Sequence, residues 1–169
     1  LAAGNAPDLG QIEFDALPNF RAQGGLTNIA ECAGVADAES EFVDWTWTQV
    51  GLGEEGAVYA VPQDTGPMAM FYREDLFTAN GIEIPTTWDE YAAAAEQVRE
   101  AGGYITNFST GDANQFAGFV WQAGGSWFST QDDTWQVDLA SDASLKVAGY
   151  WDDLLDRDLV SALPAWTSE

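Results

Sequence analysis

Strand-like and helix-like patterning alternate along the chain. Pro7–Phe14 (PDLGQIEF) reads as a strand opened by a proline, with Leu9, Ile12 and Phe14 available to a core-facing side. Leu17–Gln23 reads as a short helix with Pro18 in its first turn, ended by Gly24-Gly25. Thr27–Ser40 is rich in small and acidic residues and reads as loop with a helical turn. Phe42–Val50 carries Trp45 and Trp47 on alternate positions, and Ala57–Val61 (AVYAV) reads as a strand. The segment Pro62-Gln63-Asp64-Thr65-Gly66-Pro67 interrupts the pattern most sharply. Its two prolines remove backbone donors and fix φ, so it cannot be the middle of a sheet strand and is expected to connect two lobes.

Beyond that break, Met68–Arg73 (MAMFYR) reads as a strand and Glu74–Asn80 as a short helix closed by Gly81. Thr87 and Glu90 have the T-x-x-E spacing of a capping box. Trp88, Tyr91, Ala92, Ala95 and Val98 follow at helical spacing until Gly102-Gly103. Tyr104–Asn107 is expected as a brief strand, Ala113–Ala123 as a helix ended by Gly124-Gly125, and Trp135–Leu139 as a short strand. Ser141 can cap a last long helix whose inner side is expected to carry Leu145, Ala148, Trp151 or Asp152, and Leu155. The alternation predicts an α/β chain with mostly parallel sheets flanked by helices.

Composition narrows the classes. The 169 residues are 46% hydrophobic and 20% charged, which is globular and not disordered. Against 28 Asp and Glu stand 5 Lys and Arg, a net charge of −23, which argues against nucleic acid and anionic membrane as partners. The plain reading of the acidity is a solubilising or salt-tolerant surface. Asp132, Asp133 and Asp138 come nearest to a calcium loop but lack its spacing and closing Glu. No stretch approaches the roughly 20 apolar residues of a membrane-spanning helix. The chain opens on Leu1 and reads as an internal or processed piece of a longer protein.

The absence of His removes Ser-His-Asp and Cys-His catalysis, and the single Cys32 rules out an internal disulfide. Gly51–Gly56 matches G-x-G-x-x-G but precedes a strand instead of following one, so it is not a dinucleotide fingerprint. Asn107-Phe108-Ser109 has the common N-x-[ST] form. Paired carboxylates of a glycosidase cannot be picked out among so many acids. The aromatics are more informative: 8 Trp, 5 Tyr and 9 Phe. Most belong to the core, Trp88 and Tyr91 among them, whereas Trp45, Trp47, Trp121 and Trp127 fall in or near polar, glycine-rich segments. A sugar has an apolar face for a ring and a rim of hydroxyls for carboxylates and amides. Asp15, Asp64, Asp112, Asn114 and Gln115 are such edge residues near loops.

A longer ordered pattern lies in Gly56–Tyr91. Tyr59 and Pro62, then Asp64, then Tyr72-Arg73 with Asp75-Leu76-Phe77, Gly81-Ile82, Pro85, and Thr87-Trp88-Asp89-Glu90 occur in sequence. With PDLGQIEFDALPNFRAQGGLTNI before it and WQAGGSWF (Trp121–Phe128) after it, the chain resembles the extracellular solute-binding proteins of sugar ABC transporters, the family that includes maltose-binding protein. The resemblance implies an incomplete two-lobed periplasmic-binding-protein fold, with residues 1–62 in the first lobe, 63–169 in the second and a crossover near 61–66. It implies a sugar or oligosaccharide ligand, delivery to membrane permease subunits, no catalysis, no cofactor and no metal. It also implies a location outside the cytoplasmic membrane, in the periplasm or on a surface lipoprotein, and a monomer when complete. Family members run about twice this length or more.

Carried over by position, the resemblance places Asp15 at a polar ligand contact, with Phe14 and Glu13 beside it. Asp64 and Thr65 fall at the crossover; Asp112, Asn114 and Gln115 fall in the loop before a helix of the second lobe; Trp45 and Trp121 are the expected stacking rings. Two alternatives stay open: the same fold for a peptide or polyamine, and a carboxylate-dependent glycoside hydrolase.

Overall fold

The computed structural model describes residues 4–132 and 134–164. Asp133, considered above for calcium, lies outside the described residues, as do residues 165–169. The chain divides into two compact units between Pro67 and Met68.

The first unit is helical. A 3-10 turn, Phe14–Ala16, runs into α1 (Leu17–Ala22), followed by α2 (Val35–Ala38) and α3 (Asp44–Val50). Leu17, Trp47, Val50 and Val58 form its core. The expected strand over Pro7–Phe14 is not formed: no neighbouring strand pairs with it among the described residues, and Leu9 is exposed. Ala57–Val61 is extended but pairs only locally, Val58 O accepting from Ile29 N at 2.8 Å and Tyr59 N donating to Val50 O at 3.0 Å. Asn28 pins this strip, its Oδ1 accepting from Ala30 N and Val58 N. The alternating Trp45 and Trp47 sit on helix α3 and not on a strand. Two residues apart on a helix is about 200°, so Trp47 is buried against Phe42, ring centroids 5.3 Å apart, while Trp45 faces solvent.

The second unit comprises α4 (Glu74–Asn80), α5 (Trp88–Glu100), α6 (Ala113–Gln122), β1 (Phe128–Gln131), β2 (Thr134–Val137) and α7 (Asp142–Asp156). Its core collects Ala95, Phe119, Val120, Val147, Trp151 and Leu154. The capping box of α5 is present: Glu90 N donates to Thr87 Oγ1, and the Glu90 carboxylate accepts from the Thr86 and Thr87 amides. Gly81, with φ +67°, closes α4 through the Ile82 N to Phe77 O bond. The inner stripe of α7 is Ser144, Val147, Trp151 and Leu154: Trp151 is inner as expected and Leu155 packs half-buried against the core, whereas Leu145 and Ala148 are exposed and Ser144, Val147 and Leu154 take the inner side. Polar Ser144 earns its inner place by accepting the Trp127 Nε1–H at 2.9 Å.

The sheet content is small. β1 and β2 form an antiparallel hairpin, Phe128 opposite Val137 and Thr130 opposite Trp135. The expected strand from Trp135 thus begins at Thr134, and its partner β1 was not foreseen. Tyr104–Asn107 contributes one parallel bridge, Asn107 with Ser161. Met68–Arg73 is extended and exposed, with Phe71 94% accessible, and belongs to no ladder among the described residues. A strand forms only against a partner, and these segments have none in a ladder among the described residues. The Asn107 amide ties this stretch together: Oδ1 accepts from Ser161 Oγ and Leu163 N, and Nδ2 donates to Leu163 O.

All four arginines pair with carboxylates at the surface, Arg21 with Glu54, Arg73 with Asp75, Arg99 with Asp158, and Arg157 with Glu96 and Asp153. Among the described residues, Glu54, Asp75, Glu96, Asp153 and Asp158 are the acids paired this way, and most of the others have no arginine beside them. Raising salt from 10 mM to 1 M shortens the screening length from about 30 Å to about 3 Å, so the thermal midpoint should rise across that range in a calorimetric series. The Thr86 amide and hydroxyl, then Thr87, hold the Glu90 carboxyl below its ordinary value of 4.5. A depressed pKa means the cap's contribution is complete above pH 4.5 and is lost as pH falls below it. Thr87→Ala should cost about 1 kcal/mol at neutral pH. The stability gap between the chain and Glu90→Ala should close on acidification, read by chemical denaturation.

Candidate functional site

Two cavities of the second unit bear on the site. The larger, about 840 Å³, is bounded by Met68–Arg73, the start of α5, residues 103–106 and one side of α6. Its walls are mainly apolar, with Thr86, Thr87, Trp88, Tyr91, Gln115 and Gln122 supplying polar atoms. Trp88 is held rigidly: its Nε1–H donates to Gln122 Oε1 at 3.1 Å, and the Tyr150 hydroxyl donates to its carbonyl at 2.7 Å. Its ring meets Tyr91, Phe119, Tyr150 and Trp151 edge-on, with centroids 5.4 to 5.9 Å apart. Burial pushes the Tyr91 hydroxyl up to about 12 and raises Tyr150 further. Gly118 lies against Met68, and a Cβ there would run into its Sδ.

The smaller cavity, about 420 Å³, lies between residues 108–113, Phe116, Trp127 and the outer half of α7. Asp112 sits on its rim.

The sequence-derived site residues fall as follows. Asp112 is the N-cap of α6: its Oδ1 accepts from both Asn114 N at 3.1 Å and Gln115 N at 3.0 Å. This is the ordinary cap role, and it leaves Oδ2 without a bond among the described residues. Gln115 is half-buried and lines the larger cavity, whereas Asn114 points outward on the first turn. Asp64 and Thr65 are exposed in the irregular link between the two prolines, and Asp15, with Phe14 and Glu13, is exposed at the 3-10 turn before α1. Trp45 and Trp121 are exposed to 55% and 64%, wide rings with no aromatic partner among the described residues. Within the second unit, helix α6 gathers Asp112, Gln115 and Trp121 on one element. Trp88 and Gln122 were missed as cavity residues, and so was Tyr150 as the residue that holds the Trp88 carbonyl. The Trp88 helical spacing pointed to core, and no local signal shows that Gln122 reaches across to it from 34 residues away.

The family of bacterial extracellular solute-binding proteins matches the chain over residues 1–169. The chain belongs to that family. It is 27% identical over 159 residues to an arabinooligosaccharide-binding protein of Halalkalibacterium halodurans, covering 91% of this chain and 34% of the relative. A lactose-binding protein of Rhizobium radiobacter is 26% identical over 98 residues, 56% of this chain and 23% of that protein. Among solved structures, the galacto-N-biose-/lacto-N-biose I-binding protein of the ABC transporter from Bifidobacterium longum, in complex with lacto-N-biose, superposes with a TM-score of 0.82. It is 32% identical, with 98% of this chain and 41% of that one covered. The fold is thus the α/β solute-binding-protein fold, present in part. The chain spans about a quarter to two fifths of the length of these fuller relatives. No helix among the described residues is long and apolar enough to cross a membrane.

Because Tyr91 is favoured neutral in the fold, its contribution is complete below pH 10 and fades as pH rises towards 12. Tyr91→Phe should flatten the alkaline loss of stability over that window, measured by denaturant midpoints at successive pH values.

Proposed function

We propose that this chain is part of the substrate-binding component of an ABC importer, which captures a sugar or oligosaccharide outside the cytoplasmic membrane and delivers it to the permease subunits. The observation that carries the reading is the match of the whole chain to the solute-binding family, together with sugar-binding relatives. The reading takes residues 1–62 and 63–169 as parts of two lobes with the crossover near 61–66. Binding here needs no bond-making: a solute-binding protein works by differential affinity between conformations. The exposed aromatic rings and carboxylates fit this chemistry. Trp45 and Trp121 offer flat apolar faces to a pyranose ring, and Asp15, Asp64, Thr65, Asp112, Asn114 and Gln115 offer hydrogen bonds to its hydroxyls. The Asp112 Oδ2 is the most explicit of these: Oδ1 is consumed by the helix cap, so the carboxylate is held in place while its second oxygen stays available.

The unpaired Met68–Arg73 segment supports the view that further chain completes this unit in the longer protein. Tryptophan fluorescence titrated with neutral oligosaccharides, on this chain and on one extended at both ends, tests the proposal. A saturable quench or blue shift in the extended chain is expected with one sugar class and not with spermidine or short peptides. Asp64→Ala should weaken that binding by about 1.5–3 kcal/mol, the range for a hydrogen bond to a charged group. A response to peptides alone would refute the sugar reading, and release of reducing ends from glycans would replace binding by hydrolysis.

A further inference from the structure

We propose that Asn80 is this chain's site of deamidation, and that the C-cap of α4 keeps it unreacted in the folded protein. Asn80-Gly81 is the only Asn-Gly step in the sequence; the other asparagines precede Ala6, Phe20, Ile29, Phe108 and Gln115. In such a step the main-chain nitrogen of Gly81 attacks Cγ, the side-chain carbonyl carbon of Asn80. The bond from Cγ to the side-chain nitrogen breaks, ammonia leaves, and a five-membered succinimide remains. Water then opens the ring at either carbonyl and gives aspartate or isoaspartate. Glycine makes the step fast, because no Cβ hinders its nitrogen and its backbone turns freely.

The fold withholds each requirement of that reaction. Asn80 is the last residue of α4, and Gly81 is its left-handed cap at φ +67° and ψ 29°. The nucleophile is engaged, since Gly81 N–H donates to Thr78 O at 3.2 Å. The leaving group is engaged too, since Asn80 Nδ2 donates to Leu76 O at 2.8 Å. Ring closure needs Cβ and the Gly81 nitrogen nearly eclipsed about the Cα–C bond, and the helical backbone at Asn80 holds them apart. Asn80 is exposed, so water and hydroxide reach it. Its protection comes from the cap geometry and not from burial.

The product does not fit the cap. An aspartate has no donor for Leu76 O, and it sets a full negative charge at the helix end whose dipole is already negative. An isoaspartate lengthens the main chain by one methylene inside the closure made by Ile82 N and Phe77 O at 2.9 Å. Phe77 and Ile82 are buried together with Ala94, and both line the larger cavity beside Asn80. Reaction at this one residue therefore loosens α4 and alters a wall of that cavity.

The test is peptide mass mapping with isoaspartate detection on the chain held at mildly alkaline pH, once native and once in concentrated guanidinium chloride. Asn80 should react first among the asparagines in denaturant, and about tenfold or more slowly in the native chain, where reaction waits on local opening. Ala79→Gly tests the cap itself. Ala79 is exposed, and glycine there weakens the last turn through helix propensity alone. This variant should lose Asn80 severalfold faster in the native state and match the parent in denaturant. Asn80→Gln, which must close a six-membered ring, should leave residue 80 intact in both conditions. Equal native and denatured rates at Asn80 would overturn the proposal. So would earlier reaction of another asparagine in denaturant, or a native rate that Ala79→Gly does not move.

Discussion

The indole of Trp151 is where the second unit meets. It stacks on Phe108, leans on Phe119, and takes the edges of Trp88, Tyr91 and Tyr150. Those partners come from α5, α6, α7 and the residues that follow the 104–107 segment, so one side chain ties four stretches of chain together. Each ring pair adds about 0.5–1.5 kcal/mol beyond the area it buries. Neighbouring rings also fix one another's orientation, and that matters more for function than the sum. The two cavities lie on either side of this cluster, and Trp151 lines both. Whatever either cavity binds, its wall is set by the same packing that holds the unit.

Around that apolar centre the surface is almost uniformly anionic, and the few cations are spent deliberately. Arg99 and Tyr104 both bond Asp158, which sits in the left-handed region at φ +56° immediately after α7. Arg157 bridges α7 to Glu96 of α5. In the first unit Arg21 pairs with Glu54 and lies over the Tyr59 ring at 4.8 Å. Each exposed pair is worth little by itself. They sit at helix ends and between elements.

What could be read from the sequence was what local chemistry decides. The capping box at Thr87, the glycine stops after α4, α5 and α6, and the Ser141 cap of α7 need only neighbouring residues, and each helix is in place. Strands were another matter. Pro7–Phe14 and Met68–Arg73 have the apolar content of strands, but a strand exists only through a partner, and the partner is a long-range fact. The alternation of Trp45 and Trp47 left the element open, because so short a run of aromatics fits either period; α3 begins after Val43, which is extended at its N-cap.

The candidate site divides along the same line. Asp112 was visible as a loop acid before a helix, and its cap geometry follows from that position alone. That one oxygen would be consumed and the other left over could not be read, because it depends on where the Asn114 and Gln115 amides point. Trp88 illustrates the converse. Helical spacing assigned it to the core, but its ring, though it touches four others, is 39% accessible, and the residue borders the larger cavity with its N–H tied to Gln122. Core and wall are one role for a residue at the rim of a half-open unit. A side chain that rings hold on one side and a cavity meets on the other is pre-organised, so a ligand touching it would lose little conformational entropy there.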